Sequence, residues 1–427
     1  MREKTKGRRW QSVLFWLFAA SAAIYGWHCL DRMVPDQVSI LENEKEEFTF
    51  HLPPGTTLSS ESREVSLGNS SNIPADQITV SGKEPFSMIA GRQGSYQVNL
   101  KLFGFIKWKE IQVDVVDTRY AIPCGCPIGI YLKSDGVMVI GTGRVTGEDG
   151  MEREPAYGIL KSGDYIEVFN GRAVNTKEEL IEAVSRSEGE EAVLKVRREG
   201  EEIDVSLRPV KGADGQYRLG AWVRDDTQGI GTITYVDLNG RFGALGHGIS
   251  DSDTGALVET DEGSLYTTQI MGIEKGTMGK PGLLSGVIYY GPQSYMGDVE
   301  KNTEEGVFGT VTSAFKKRIS GQPLEIARRQ EVKQGPAVIR SNVSGEMRDY
   351  AIEIQKADLN TGRSNKSMVI KVTDPDLLEL TGGIVQGMSG SPIIQDGKLV
   401  GAVTHVLVND PTRGYGIFIE NMLDAAG

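Results

Sequence analysis

The feature that most constrains this chain is a glycine-rich string near its C-terminal end, Gly387-Met388-Ser389-Gly390-Ser391-Pro392. Glycine has no Cβ, so it lets the backbone turn tightly and adopt φ > 0. Such a turn can direct the N–H groups of Gly387 and Ser389 to one point, where they would bind the oxyanion of a tetrahedral intermediate. The string therefore offers a nucleophile, Ser389, and an oxyanion hole together. The alternatives are a Gly/Ser turn between strands and Ser391 as the nucleophile, although Ser391 more simply shapes the loop.

Composition bounds the fold and the partners. The 427 residues suffice for two to four domains, and the 53 glycines favour a turn-rich, mainly β structure. The net charge is −12. An acidic chain repels phosphate backbones, so we expect no nucleic-acid partner.

Cysteine and histidine are too scarce for a structural metal site. The chain has three cysteines (Cys29, Cys124 and Cys126) and four histidines. Cys124-Gly125-Cys126 is too short a spacing for an ordinary zinc half-site, so we expect no metal and no cofactor. A strained disulfide and two free thiols both remain open for this pair, with two small buried residues as the simplest interpretation.

The N-terminus has the pattern of an export signal. Five basic residues within residues 2–9 precede an apolar stretch at about residues 12–30. A basic flank stays on the cytoplasmic side of a membrane, and about 20 apolar residues can span a bilayer as a helix. We therefore predict a cytoplasmic flank at residues 1–10 and a transmembrane signal-anchor or cleaved signal peptide at residues 11–30. The functional part would lie outside the cytoplasm.

A small β domain is predicted at residues 38–117. Short runs of alternating apolar and polar residues, such as residues 96–100 and 111–115, are broken there by Gly, Pro and Ser clusters. Alternation with period two is typical of half-buried strands.

Residues 121–210 resemble a PDZ domain of the bacterial peptidase-associated kind. The resemblance rests on the run from Ala156 to Gly171, which contains Lys161-Ser162-Gly163-Asp164 and ends in the hairpin turn Asn170-Gly171. A helix follows, with Thr176 as its N-cap. A PDZ domain is an α+β fold in which a peptide joins a sheet edge and its C-terminal carboxylate meets backbone N–H groups. The expected peptide-binding residues, each with a core position as the alternative, are Ile128, Gly129, Ile130, Leu180, Ile181 and Val184.

Residues 224–427 contain the candidate catalytic residues in a predicted chymotrypsin-like double β-barrel. A strand at residues 230–236 leads through Asn239-Gly240 to His247, which stands between two glycines. A serine nucleophile needs a base, and the base needs a partner that fixes its tautomer. We favour His247 as the base over His405, which follows the serine and would line the specificity pocket or be structural.

The acid of a catalytic triad is less clearly marked. Asp374 and Asp376 precede Ser389 in an Asp-Pro-Asp element that also suits a turn. Asp251 and Asp253 lie too near His247 in sequence to be favoured.

The order of these segments resembles the sporulation stage IV protein B (SpoIVB) peptidase family of endospore-forming bacteria, with residues 382–394 most similar. The resemblance implies a triad of His247, Asp374 and Ser389 in a chymotrypsin-clan endopeptidase. It also implies export across the forespore membrane into the intermembrane space, self-cleavage, and cleavage of a membrane-bound regulator of an intramembrane metalloprotease, which permits pro-sigma-K processing. A non-enzymatic PDZ adaptor with a peptidase-like scaffold is the main alternative, and a structural envelope protein is a further one.

Overall fold

A computed structural model describes residues 3–48, 52–53, 55–60, 65–67, 78–79, 86–260, 262–319 and 321–427. Strands dominate these residues, which confirms the prediction of a mainly β protein. The chain forms two compact units. The first comprises Met1–Arg119, Arg328–Lys333 and Ala357–Gly362, and the second comprises Tyr120–Ala327, Gln334–Lys356 and Arg363–Gly427.

The first unit is a small β structure preceded by a helix. Its elements are α1 (Glu3–Asp31), β1 (Gln37–Leu41), β2 (Glu46–Phe48), β3 (Thr56–Ser60), β4 (Val65–Leu67), β5 (Ile78–Thr79), β6 (Phe86–Ala90), β7 (Gly94–Leu102), β8 (Ile106–Val116) and a 3-10 turn (Arg329–Glu331). Its sheets have the strand orders β1-β8-β7-β3-β5 and β2-β6-β4. Both sheets contribute to one core, for example through Ile40 of β1 and Met88 of β6.

Among the helices within the described ranges, none is both long and apolar enough to cross a membrane. The signal-anchor at residues 11–30 stays a prediction.

From Tyr120 onward the chain is again rich in strands. The first half contains β9 (Tyr120–Pro123), β10 (Pro127–Thr142), β11 (Val145–Thr146), β12 (Glu152–Arg153), β13 (Tyr165–Phe169), β14 (Arg172–Ala173), α2 (Lys177–Arg186), β15 (Ala192–Arg198), β16 (Glu201–Leu207), β17 (Val210–Lys211), β18 (Tyr217–Arg218) and β19 (Ala221–Asp237). The second half contains β20 (Arg241–Ala244), β21 (Glu262–Glu274), β22 (Gly282–Ile288), β23 (Tyr295–Thr303), β24 (Gly306–Val311), α3 (Ser313–Arg318), β25 (Leu324–Glu325), β26 (Gly335–Ser341), β27 (Arg348–Ala357), β28 (Met368–Val372), α4 (Pro375–Thr381), β29 (Val385–Gln386), β30 (Pro392–Gln395), β31 (Lys398–Leu407), β32 (Asp410–Phe418) and α5 (Ile419–Ala426).

Two rings of strands surround the candidate site. Strand pairing runs β10-β19-β20-β24-β23-β21 and returns to β10 through the β10–β21 pair. The second ring, β26-β27-β28-β32-β31-β30, is a closed barrel. Alternate side chains point inward along such strands, so each ring encloses apolar residues. Ile130 and Leu265 lie in the core of the first ring, and Ile339 and Met368 are buried in the second.

A separate α+β module, residues 134–223, is inserted between two strands of the first ring. The first part of β10 pairs with β19 and β21 as a member of that ring, and its second part pairs with β13 of the module. Leu180 and Val184 of α2 pack into the module core. The sequence predicted a PDZ domain at residues 121–210 followed by a separate peptidase domain at residues 224–427. The structure differs from this prediction, because residues 127–133 belong to the first ring.

Local signals in this module are confirmed. Asn170 and Gly171 have φ of 48° and 78°, as expected for a two-residue hairpin turn. Thr176 is the N-cap of α2, since its side chain accepts the N–H of Glu179 at 3.2 Å. These signals are reliable because each depends on a few neighbouring residues.

Candidate active site

The loop of residues 387–391, here called the serine loop, connects β29 to β30. Gly387 and Gly390 have φ of 101° and 95°, a region in which residues with a side chain are strained. Thr232 of β19 holds the loop by two hydrogen bonds. Its N–H donates to the carbonyl of Ser389 at 3.0 Å, and its hydroxyl donates to the carbonyl of Gly387 at 2.8 Å.

Gly390 is required for this close approach. A Cβ at Gly390 would lie 2.0 Å from the carbonyl oxygen of Thr232 and 2.6 Å from the backbone nitrogen of Leu245. Both neighbours are backbone atoms that cannot move aside as a side chain can. The glycine thus brings the serine loop against the segment that carries His247.

The turn after β20 leads from the contact with the serine loop at Leu245 to His247. Leu245 and Gly246 both have left-handed φ, 68° and 69°. For a leucine this conformation is strained, and such strain often occurs at functional sites. The buried Leu245 side chain and a hydrogen bond from its N–H to Thr232 O at 3.1 Å hold the turn. Thr232 therefore contacts both segments that carry candidate catalytic residues.

The ring of His247 is oriented by the backbone. Its Nδ1 lies 2.8 Å from the carbonyl oxygen of Gly248, so Nδ1 carries the hydrogen and Nε2 keeps its lone pair. Burial lowers the pKa of His247, against the Gly248 carbonyl and the Glu304 charge, which raise it. A neutral ring with a free Nε2 is the form that accepts a proton from a serine.

His405 lies directly beside His247. The two ring centroids are 4.9 Å apart, with 34° between the ring planes. Burial, then the charges of His247 and Lys366, lowers the pKa of His405 to about 4. Its buried Nδ1 has no hydrogen-bond partner among the described residues. The two histidines between which the sequence had to choose therefore share one site.

The hydroxyl of Ser389 points toward β31. Its Oγ donates to the carbonyl of Thr404, next to His405, at 2.6 Å. Thr404 donates in turn to the carbonyl of Asn365 at 2.7 Å, and the Asn365 side chain donates to the carbonyl of Glu304 at 2.9 Å. This network, like Thr232, was missed by sequence analysis, because single threonines and asparagines carry no motif.

Ser391 is excluded as the nucleophile. It is 0% exposed, and its hydroxyl has no partner within the described part of the chain. Its N–H donates to the Met388 carbonyl at 2.9 Å, which shapes the serine loop.

Asp374 caps a helix. Its carboxylate accepts the N–H groups of Asp376 and Leu377 at the start of α4, each at 3.1 Å, and that of Ala351 at 3.2 Å. With Pro375 next, this is a typical helix N-terminus. The structure thus engages Asp374 with backbone donors, while the Gly248 carbonyl occupies Nδ1 of His247.

The other candidate acids are also engaged. Asp251 is buried and ion-paired with Arg224, and Asp253 contacts the same guanidinium at 2.8 Å. Asp251 also accepts the N–H groups of Asp253 and Thr254.

One half of the predicted oxyanion hole is open. Within the described residues, the N–H of Ser389 donates to no backbone carbonyl. Gly387 lies at the end of β29, where β22 runs alongside, and a Cβ there would lie 3.0 Å from Leu284. The loop therefore offers the Ser389 donor beside its own hydroxyl.

Ile128, Gly129 and Ile130 do not line a peptide groove. They lie in β10, and both edges of that strand are paired there, with β19 and with β21. Ile128 is 0% exposed, and a Cβ at Gly129 would lie 2.4 Å from Ile288. The structure therefore corrects the prediction, since a strand paired on both edges leaves no backbone donors for a carboxylate.

A groove of about 640 Å³ runs between α2 and the start of β19 in the inserted module. Leu180, Ile181 and Val184 all line this α2–β19 groove, together with Trp222. Among the strands that the structure describes, residues 221–224 of β19 are paired on one edge only, with β10. The groove thus combines an open strand edge with an apolar helix face.

The three cysteines are free thiols. Burial raises the pKa of Cys124, and it raises that of Cys126 to about 11. Both therefore stay protonated and unreactive at neutral pH.

Comparison with known proteins identifies the domain that holds this site. The family described as SpoIVB peptidase S55 matches residues 215–423, which include Thr232, His247, Asp374, Ser389 and His405. The chain carries a SpoIVB peptidase S55 domain, and it is a serine peptidase.

Solved structures match this serine peptidase with low identity. The Rv3671c protease from M. tuberculosis matches in its active form at 16% identity, over 47% of this chain and 75% of that chain, with a TM-score of 0.26. Its inactive form matches at 15% identity, over 46% and 84% of the two chains, with a TM-score of 0.24. The HtrA-type protease AlgW with a decapeptide matches at 12% identity, over 48% and 53%, with a TM-score of 0.26.

Proposed function

We propose that this peptidase is an exported, chymotrypsin-like endopeptidase in which Ser389 is the nucleophile and His247 the general base. The observation that carries the proposal is the double role of Thr232, which binds the serine loop and the turn before His247. Two segments more than 140 residues apart are thereby fixed against each other, as a nucleophile and its base require.

The proposed mechanism uses the hydroxyl of Ser389 and the lone pair on Nε2 of His247. Ser389 Oγ rotates from the Thr404 carbonyl toward His247 and attacks the peptide carbonyl carbon, and its proton passes to Nε2 of His247. The carbonyl oxygen becomes an oxyanion, for which the free N–H of Ser389 is one donor and the N–H of Gly387 is the predicted second donor. The imidazolium then protonates the leaving amine, and water hydrolyses the acyl-enzyme by the same route.

Asp374 is assigned as the third triad member by the family resemblance. In the structure its carboxylate caps α4, and the Gly248 carbonyl holds Nδ1 of His247. A backbone carbonyl can fix the tautomer of a histidine, but it stabilises the imidazolium less than a carboxylate does. Substitution of Asp374 by Asn and by Ala distinguishes a triad role from a helix-cap role.

The inserted module is assigned as the PDZ domain, with its ligand site moved to the α2–β19 groove. A peptide C-terminus would add a strand at residues 221–224, with its side chains on Leu180, Ile181 and Val184. His405, which lies beside the base, would contact the substrate and help to set its specificity.

The resemblance supports the biological role. We assign the substrates as the protein itself and a membrane-bound regulator of an intramembrane metalloprotease, whose cleavage leads to pro-sigma-K processing in sporulation. The basic flank and apolar stretch of residues 1–30 support a location at the forespore membrane. The peptidase would face the intermembrane space, anchored or released.

The test compares the full chain as wild type, Ser389→Ala and Ser391→Ala. We expect loss of N-terminal mass over time in the wild type and in Ser391→Ala, but not in Ser389→Ala. A fluorophosphonate probe should label the wild type and spare Ser389→Ala. Equal shortening of all three proteins, or labelling of Ser389→Ala, would remove Ser389 from its role. The adaptor alternative instead predicts intact signalling in Ser389→Ala and loss of signalling on changes in the groove.

A further inference from the structure

The distance between the ring centroids of His247 and His405 matches that of two histidines bound to one metal ion. In a tetrahedral zinc site each Zn–N bond is about 2.0–2.1 Å. The centre of each imidazole then lies about 3.2 Å from the ion, and two such rings have centroids about 5 Å apart. The observed separation is 4.9 Å. The tilt of 34° is neither parallel stacking nor an edge-to-face contact.

The hydrogen bonds of the ring nitrogens also suit metal binding. A metal-binding histidine usually donates its second ring N–H to a carbonyl or carboxylate, which fixes the ring. His247 has this arrangement, because Nδ1 faces the Gly248 carbonyl at 2.8 Å and leaves Nε2 as the ligand atom. The Nδ1 of His405 is buried and has no hydrogen-bond partner within the described part of the chain. An unpartnered buried nitrogen is costly unless something binds it.

We propose that His247 and His405 together bind a transition-metal ion, foremost Zn²⁺, and that the bound ion reversibly inhibits the peptidase. The binding stands on the geometry of the two rings alone. The inhibition rests on the proposed function, because the ion takes the Nε2 lone pair that would accept the proton of Ser389.

The proposed site would bind a metal ion weakly and reversibly. No cluster of three His, Cys, Asp or Glu side chains suited to a metal occurs among the described residues. Water would complete the coordination. Two protein ligands bind zinc far more weakly than the four ligands of a structural zinc site. Imidazole ligands favour Zn²⁺, Cu²⁺ and Ni²⁺ over Mg²⁺ and Ca²⁺.

Calorimetric titration of the full-length Ser389→Ala protein with ZnCl₂ tests the binding, since this variant does not digest itself. We expect one site of micromolar affinity, at least tenfold weaker after His405→Gln and likewise after His247→Gln in the same background. His28→Gln, which changes an exposed histidine of α1, is the matched control and should leave the affinity unchanged. MgCl₂ should give no heat of binding.

Two outcomes would overturn the binding: unchanged zinc affinity in both site variants, or no binding to Ser389→Ala at millimolar zinc. Circular dichroism shows whether each variant is folded. If one of the two site variants is unfolded, the zinc affinity of the other site variant tests the proposal. Replacing Zn²⁺ with Co²⁺ adds a further readout, because a tetrahedral site gives visible d–d absorption that both site variants should lose.

The inhibition is measured separately on wild-type cleavage of an added protein substrate. Zinc should reduce the rate at least tenfold, and EDTA should restore it. In His405→Gln the ratio of rates with and without zinc should approach one, whatever its basal rate. Zinc binding without loss of cleavage would overturn the inhibitory role alone. An inactive wild type would instead contradict the proposed function and leave the binding result standing.

Discussion

The backbone N–H of Thr232 donates to the carbonyl oxygen of Ser389 at 3.0 Å, so one strand of the first ring holds the loop that carries the proposed nucleophile. The carbonyl of the same Thr232 accepts the N–H of Leu245 at 3.1 Å, two residues before His247. Thr232, which takes no part in the proposed chemistry, therefore helps to set the relative position of Ser389 and His247.

Thr232→Val should reduce activity more than stability. The change removes only the hydrogen bond to Gly387 O, which costs about 1 kcal/mol of unfolding free energy. The displaced serine loop should lower kcat/KM roughly 10- to 100-fold, measured on an added protein substrate. Thr234→Val is the matched control, since the buried Thr234 hydroxyl has no partner in the described part of the chain. It should keep full activity, and an equal loss in both variants would contradict the role of Thr232.

Gly390→Ala should abolish cleavage and lower stability strongly. The new Cβ would meet backbone atoms of Thr232 and Leu245 at 2.0 and 2.6 Å. Gly397→Ala is the control, because Gly397 also has a left-handed φ, 77°, but nothing lies within 4 Å of its Cβ. That variant should lose about 1 kcal/mol from backbone strain alone and stay active. Urea unfolding and cleavage assays measure both, and similar losses for the two glycines would argue against the close contact.

Asp374 can be tested for its two roles separately. Asp374→Asn keeps a good N-cap, so unfolding free energy should change little, whereas Asp374→Ala should lose about 1 kcal/mol. If Asp374 is the triad acid, Asp374→Asn should lower kcat by about 10⁴-fold. We expect this loss on the family resemblance. Full activity of Asp374→Asn together with a destabilised Asp374→Ala would reduce Asp374 to a helix cap and leave the Gly248 carbonyl as the partner of His247.

Stability should fall in mildly acid solution because of His405. Its pKa is about 4 in the folded protein, against about 6.5 in the unfolded chain. Between these values the unfolded chain binds the extra proton, so unfolding free energy is full above pH 6.5 and decreases toward pH 4. His247, with its lowered pKa, acts in the same direction. The loss attributable to His405 should be on the order of 2 kcal/mol, since its ring is partly exposed.

Urea unfolding of Ser389→Ala at pH 5 and pH 7.5 measures this effect. His405→Gln in that background should flatten the pH dependence, and the exposed-residue control His28→Gln should not. If the unfolding free energy of His405→Gln depends on pH as it does in the parent protein, other groups cause the loss of stability in acid.

Ile181→Glu should separate peptide binding from catalysis. Ile181 is 59% exposed and lines the α2–β19 groove, so the charge does not disturb the module core. We expect at least tenfold weaker binding of C-terminal peptides by fluorescence anisotropy, with labelling by a fluorophosphonate probe unchanged. Ser185→Glu, on the same helix but outside the residues that line the groove, is the control. Peptide binding that survives Ile181→Glu would place the ligand elsewhere.

Much of the candidate site could be predicted from short stretches of sequence. The serine loop and His247 were recognisable because tight turns need glycine, and the sequence shows glycine on both sides of each candidate residue. The turn at Asn170-Gly171 and the cap at Thr176 were predicted for the same reason. The sequence favoured His247 over His405 as the base, but it could not show that the two rings share one site, because only the pairing of distant strands brings them together.

The predicted peptide-binding residues show why other parts of the fold could not be predicted from the sequence. An apolar run such as Ile128-Gly129-Ile130 suits both a carboxylate-binding loop and a strand buried between two others. The difference lies in β19 and β21, about 100 and more than 130 residues further along the chain. Asp374 is similar, because an Asp-Pro pair predicts a helix start well and carries no information on a distant histidine.

Strand β19 runs without a break from Ala221 to Asp237. Its first residues form the open edge of the α2–β19 groove, and Thr232 lies eight residues beyond Arg224. At about 3.3 Å per residue, Arg224 and Thr232 lie roughly 26 Å apart along this strand, with no loop residues between them. One continuous strand therefore carries both the open edge of the α2–β19 groove and the threonine that holds the serine loop.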